Sequence, residues 1–212
     1  MTDLSIGKEP SHGLARIVLA SNNAGKLREF AALFETVCIE IIPQGKLDVF
    51  EAEEPYPTFI ENALNKARHA SRTTGLPAVA DDSGLCVRAL HGAPGVHSAR
   101  YAQLSGLEKS DVANNAHLVA QLREIEDRCA YYYCVLALVR HPDDPEPLFT
   151  EGRWHGEVVN TPRGKHGFGY DLHFLLPALG ATVAELEPAV KSGISHRAIA
   201  LRALLARLVE AA

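Results

Sequence analysis

The chain has 212 residues, a formal net charge of −5, 47% apolar residues and 22% charged residues. That length suits one generous domain or two small lobes, and the composition excludes a disordered or collagen-like chain. The acidic balance argues against a broad nucleic-acid footprint, which needs cations, but leaves room for a nucleotide held by a few local cations and a metal.

A domain of this size buries roughly 70% of its unfolded surface and needs no disulfide or structural metal to fold. No apolar run approaches the ~18 residues that span a bilayer, and residues 1–15 lack the apolar centre of a signal peptide. Cys38, Cys86, Cys129 and Cys134 form no CxxC pair and lie in or beside apolar runs. They read as buried free thiols in a reducing compartment, so a cytoplasmic soluble protein without membrane contact is expected.

Residues 1–15 read as a disordered tail. Arg16–Ser21 (RIVLAS) is a short β-branched run expected as a buried strand. Asn22-Asn23-Ala24-Gly25 has turn composition and leads into a helix over 26–34, with Leu27, Phe30, Ala31 and Phe34 inward. A strand is expected over Val37–Ile42. A helix over 58–74 starts with the capping-box pattern Thr58-x-x-Glu61 and turns Phe59, Ile60, Ala63, Leu64 and Ala67 inward. Leu76–Ala80 is a buried strand expected to end at Asp81-Asp82-Ser83-Gly84. A helix over 110–125, paired strands over 131–140 and 148–159, and a helix over 195–209 complete the pattern. Strand, loop, helix and strand in that order indicate an α/β layer architecture, and no linker separates a second domain within 16–212.

Four segments carry chemistry. The loop Ser21–Lys26 feeds a helix N-terminus, where unpaired amides and the dipole suit a phosphate, and Ser21, Asn23 and Lys26 add donors. It is no Walker loop, because Leu27 stands where a metal-binding Ser or Thr would be. Glu51, Glu53 and Glu54 form an acidic loop, and Asp81-Asp82 close an apolar strand, where a carboxylate is costly unless paired or metal-bound. Hard oxygen donors without Cys/His clustering point to Mg²⁺ or Mn²⁺. Gly164–Asp171 (GKHGFGYD) combines glycines with Phe168 and Tyr170, a candidate platform for stacking a base, or else a hairpin with core aromatics. In Lys191–Arg197 (KSGISHR), Ser195 as N-cap would place His196 and Arg197 in the first helical turn, where a cation opposes the dipole unless it meets an anion or a base carbonyl.

Taken together, IVLASNNAGKLREF (17–30), TFIENALNKARHA (58–70), ADDSGL with GAPGVHSARYA (80–85, 92–102) and GFGYD with KSGISHR (167–171, 191–197) resemble the inosine triphosphate pyrophosphatases, also called noncanonical purine NTP or dITP/XTP pyrophosphatases. The resemblance implies an elongated mixed β-sheet flanked by helices, in two lobes around a nucleotide cleft, and a homodimer. It implies Mg²⁺-dependent hydrolysis of ITP, dITP and XTP to the monophosphate and pyrophosphate, cleansing the nucleotide pool. Carried onto this chain, Ser21, Asn22, Asn23, Ala24, Gly25 and Lys26 would hold the triphosphate, with Lys26 countering its charge. Asp82 would be metal ligand or base for the attacking water, with Glu53, or Glu54 in its place, as second metal contact. Ser83, Phe168, Gly169, Tyr170, Asp171, Lys191, His196 and Arg197 would complete the substrate site, the last two near the 6-keto edge of the base. Donors aimed at O6 would be left unpaired against adenine; excluding guanine needs an effect on its 2-amino group. The chain departs from the family pattern at His91, His97, Leu172 and Val190. Alternative readings are a related enzyme for modified pyrimidine nucleotides and a nucleotide-binding protein without turnover.

Overall fold

The computed structural model describes residues 14–34 and 39–210. Its seven-stranded sheet has the order β2-β1-β3-β4-β5-β6-β7. The strands are β1 (Arg16–Leu19), β2 (Glu40–Pro43), β3 (Ala78–Val87), β4 (Cys129–Val139), β5 (Leu148–Val158), β6 (Phe174–Leu176) and β7 (Ala181–Thr182). The helices are α1 (Ala24–Phe34), α2 (Phe59–Thr74), α3 (Asp111–Gln121), α4 (Pro188–Ile194) and α5 (His196–Glu210). β1 runs parallel to both β2 and β3, and every later pairing is antiparallel. The expected α/β mixed sheet is therefore the observed one.

The period-2 alternation of β1 divides the core into two layers. Ile17 and Leu19 face Phe30 and Phe34 of α1 and Leu201 and Leu204 of α5. Val18 and Ala20 face Ala63, Ala67 and Ala70 of α2, whose small side chains bring that helix close to the sheet. Beyond the middle of β3 a third cluster gathers Leu85, Val87, Leu118, Leu122, Tyr132 and Phe174. Since β1 lies between β2 and β3, chain connections leave it in both directions, and the crevice at its C-terminal end is a topological switch point, where ligands bind in open α/β sheets.

The differences from the expected elements have local causes. β3 does not stop at Asp81; the ladder to β4 continues through Asp81↔Leu136, Asp82↔Val135, Ser83↔Cys134 and Gly84↔Tyr133. Gly84 is no turn residue. A Cβ there would lie 2.3 Å from the Gly95 carbonyl and 2.5 Å from Ser98 Oγ, so glycine lets a neighbouring 3-10 segment approach the strand. Thr58 caps α2 as expected, its hydroxyl accepting from the Glu61 amide. Ile60 and Ala31, expected inside, are exposed. α3 ends four residues earlier than expected, at Gln121. Val37 and Cys38 of the expected second strand lie outside the described residues, as do residues 1–13 of the expected tail. Leu14 packs on the first core layer, and the Ala15 carbonyl accepts from the Glu40 amide. Cys86, Cys129 and Cys134 are free thiols. No helix among the described residues is long and apolar enough to cross a membrane.

Candidate active site

β1 leads through Ala20–Asn23 into α1, and Asn23 caps the helix. Its Oδ1 accepts from the amides of Gly25 (2.8 Å) and Lys26 (3.1 Å), while its own amide donates to Ser21 Oγ (3.2 Å). These amides already have partners, unlike the open amides expected from the sequence, so the loop's attraction for an anion rests on its side chains, Lys26 above all, and the helix dipole.

β3 sets the charge pattern of the site. Adjacent strand residues point to opposite faces, so Asp81 meets the α1/α5 layer and Asp82 the α2 layer. Lys26 ion-pairs with Asp81, and Arg197 Nε donates to Asp81 Oδ2 at 2.8 Å, with Cys134 Sγ at 3.3 Å. Burial would push the Asp81 carboxyl up, but Arg197 and Lys26 outweigh it and hold it well below the usual range. On the other face Lys66 Nζ lies 2.8 Å from both Asp82 Oδ1 and Glu54 Oε1, and Arg100 Nη1 lies 3.2 Å from Glu54 Oε2. Burial raises the Asp82 carboxyl to about 6 against the pull of Lys66. Its Oδ2 is buried with no hydrogen-bond partner among the described residues. Burial works against the charged forms of Lys66 and Glu54, but Asp82 and then Glu54 raise the amine, and Lys66 with Arg100 lowers the carboxyl.

Ser21, Asn23, Lys26, Glu53, Lys66 and Asp81 border a cavity of about 490 Å³, joined by Arg100 and Lys109. Asn23 also borders a second cavity of about 580 Å³ with Gly25, Phe168 and Lys191. Phe168 is half exposed, and Lys191 Nζ sits 4.5 Å from its ring centroid. Asp82, Ser83, Tyr170, Asp171, His196 and Arg197 border neither of these cavities. Asp171 is buried and accepts from the Phe168 amide (2.9 Å), Tyr132 Oη (3.1 Å) and Lys191 Nζ (2.5 Å), so it fastens the glycine loop from inside. Tyr170 is a core residue whose hydroxyl donates to the Ser98 carbonyl at 2.8 Å; of the two aromatics only Phe168 offers an open ring. Asn22 is exposed against Gly45 and borders neither cavity; Ala24 begins α1; Gly169 sits on the outer side of the glycine loop.

Ser195 is the N-terminal cap of α5, its Oγ accepting from the Ala198 amide at 3.2 Å. The cation that opposes the dipole, Arg197, meets its anion inside the protein at Asp81, and Nη2 also reaches Ser83 Oγ at 3.2 Å. His196 is buried and stacked on Tyr132, with ring centroids 4.9 Å apart and planes 11° apart. Burial, reinforced by Arg197, keeps it neutral, and its Nδ1 has no hydrogen-bond partner among the described residues.

Lys66, Arg100 and the cations that pair with Asp81 were not singled out from sequence. The signal for Lys66 was present: it lies three residues after Ala63 and four before Ala70, on the buried stripe of α2, where a cation requires a carboxylate. Of the acidic loop, Glu54 is committed to Lys66 and Arg100, while Glu53 is exposed and only its carbonyl is held, by Asn65 Nδ2 at 2.9 Å. Leu172 and Val190 border neither cavity, and His91 adopts a left-handed φ of 52° where glycine is usual in the resembled family. Among the described residues, no group of three or more His, Cys, Asp or Glu encloses a metal position.

The chain matches the Ham1 family over residues 17–207. It is 74% identical over 201 residues to a dITP/XTP pyrophosphatase of Burkholderia pseudomallei, covering 95% of this chain and 97% of that one. It is 63% identical over 195 residues to a dITP/XTP pyrophosphatase of Ralstonia nicotianae, covering 92% and 97%. Among solved structures, a HAM1 protein from Coxiella burnetii superposes with a TM-score of 0.87 at 46% identity, covering 93% of this chain and 100% of that one. The Staphylococcus aureus Ham1 protein superposes with a TM-score of 0.82 at 40% identity, covering 92% and 98%. With a match that spans almost the whole sheet and both halves of the site, this chain belongs to the Ham1 family.

Proposed function

We propose that the protein is a nucleoside-triphosphate pyrophosphohydrolase. It cleaves ITP, dITP and XTP to the monophosphate and pyrophosphate and so clears these purine nucleotides from the cytoplasmic pool. The observation that carries this reading is the pair of adjacent carboxylates on β3 beside the Lys26 loop, Asp81 held by Lys26 of α1 and Arg197 of α5 and Asp82 by Lys66 of α2. The relatives named dITP/XTP pyrophosphatase support the substrate class, which favours purines over modified pyrimidines and turnover over binding alone.

In this reading the triphosphate occupies the cavity at Lys26, with Ser21 and Asn23 as donors. The base enters the neighbouring cavity beside Phe168 and Lys191. Asp82 fits a divalent cation: its buried Oδ2 lacks a partner among the described residues, and exposed Glu53 offers a second carboxylate at the same cavity as Lys26. Mg²⁺ commonly takes one or two carboxylates plus substrate phosphates. When bound, Mg²⁺ (or Mn²⁺) supplies positive charge against the phosphate oxygens. The residues do the rest. Lys66 fixes Oδ1 of Asp82, and Oδ2 would either hold the ion or take the proton of the attacking water, the ordinary task of a positioned carboxylate. Lys26 shifts from Asp81 toward the leaving pyrophosphate, and Arg197 then neutralises Asp81. Family resemblance supports a place for His196, neutral in its buried position, and Arg197 near the 6-keto edge. Family resemblance supports assembly as a homodimer, which sedimentation of the purified chain checks.

The test is a panel of ITP, dITP, XTP, ATP, GTP and UTP with Mg²⁺, scoring pyrophosphate against orthophosphate. Pyrophosphate from the first three in large excess over the others is expected. Asp82→Asn should lower kcat by at least about 10²-fold, the usual scale for loss of a general base. Orthophosphate as the direct product, or full activity in Asp82→Asn, rejects the reading.

A further inference from the structure

The glycine loop that presents Phe168 is fastened from inside by Asp171, but its outer side is held by α3, to which no role has been given. Asp111 Oδ2 accepts from the Gly169 amide at 2.7 Å. One turn along the same face, Asn115 Nδ2 donates to the Gly169 carbonyl at 2.7 Å and to the Asp111 carbonyl at 2.7 Å. Both peptide groups of Gly169 are thus gripped by side chains of one helix. The grip starts from a fixed point, because Ser110 caps α3 by accepting from the Ala113 amide at 3.1 Å.

Packing does not supply this support. Gly169 has φ of +61°, and a Cβ there would meet nothing within 4 Å. The outer face of the loop borders a groove of about 870 Å³ lined in part by Val112, Asn115, Phe168 and Leu172. A left-handed glycine over open space is free to swing unless hydrogen bonds hold it. The residue next to it carries the one open aromatic ring of the candidate base site.

We propose that Asp111 and Asn115 are positioning residues for base recognition, setting the pose of Phe168 through Gly169 without touching the nucleotide. This rests on the pyrophosphohydrolase reading above. It predicts damage to base binding, with the phosphate subsite and the chemical step spared.

Asp111→Ala should raise KM for ITP about tenfold, the scale of one lost charge-assisted hydrogen bond, and Asn115→Ala about threefold to tenfold, the scale of a neutral one, with kcat within about twofold of wild type in both. The inhibition constant of pyrophosphate, which needs only the phosphate subsite, should not move. Asp111→Asn, which retains an acceptor for the Gly169 amide, should restore most of the affinity. Amide hydrogen exchange over residues 166–171 should accelerate in both alanine variants. Wild-type KM in the alanine variants, or a parallel rise in KM and in the pyrophosphate inhibition constant, overturns the proposal. If the wild-type chain releases no pyrophosphate from ITP, the functional reading falls by itself. Exchange over 166–171 then decides the clamp, and unchanged exchange in Asp111→Ala rejects it.

Discussion

Asp144, at the tip of the β4–β5 hairpin, shows how closely a single carboxylate can organise a loop. Fully buried, it accepts from Arg140 Nε (2.9 Å), Arg140 Nη2 (2.7 Å), the Arg140 amide (2.9 Å) and the Glu146 amide (2.9 Å). The Arg140 hydrogen bonds hold its carboxyl well below the ordinary range, outweighing burial. A depressed carboxyl contributes stability above its unfolded value near 4 and loses it as pH falls through the folded value. Asp144→Ala should therefore cost about 1–3 kcal/mol at pH 7, and the gap to wild type in urea midpoint should close progressively below about pH 4. Single residues also mark the limits of the sequence reading. Asp82 was legible because a carboxylate in an apolar strand is conspicuous. Its partner Lys66 was not, because a lysine on a helix is ordinary until the buried stripe around it is traced.

At the scale of elements, α5 reaches the site through a glycine in the strand beneath it. A Cβ on Gly152 of β5 would lie 2.0 Å from the His196 carbonyl and 2.8 Å from the Ala200 amide, so backbone packs on backbone. Gly152→Ala must push the start of α5 off the sheet and take Arg197 with it. The variant should lose about 1–3 kcal/mol, the usual cost of overpacking, and show a lower kcat/KM for ITP than its residual fold accounts for. Thermal unfolding and kinetics on the same preparation check both. Elements long enough to show a period were legible: α2 with its cap, the β4–β5 pair and the leucine face of α5. α4, β6 and β7 were not, since 7, 3 and 2 residues give too few repeats for a pattern. β3 was cut short because two acids look like a strand end; the helices on either side neutralise them and the ladder continues.

At the scale of the whole molecule, the net charge of −5 conceals a site whose cations come from α1, α2, the segment around Arg100 and α5. A ligand that engages them ties these parts together. A non-hydrolysable ITP analogue with Mg²⁺ at 100 times its Kd should stabilise the fold by about 2.7 kcal/mol, a rise of about 5–10 °C in Tm. Lys26→Ala should abolish most of that rise, which differential scanning calorimetry would show. The fold class and the ordered site segments were legible over nearly the whole chain, because both rest on local patterns. The partner choices within the site were not, because Lys26, Lys66 and Arg197 reach β3 from positions 55, 16 and 116 residues away, respectively.

The opposite orientation of Asp81 and Asp82 has a consequence for how the protein is made. If α2 leaves the sheet, Asp82 loses its lysine; if α1 or α5 leaves, Asp81 loses a cation that offsets its burial. No half-built form carries both acids neutralised, so the two layers favour arriving together and parting together. Quality control then comes with the architecture: a chain that has assembled only one side has no competent cleft with which to attack the nucleotide pool.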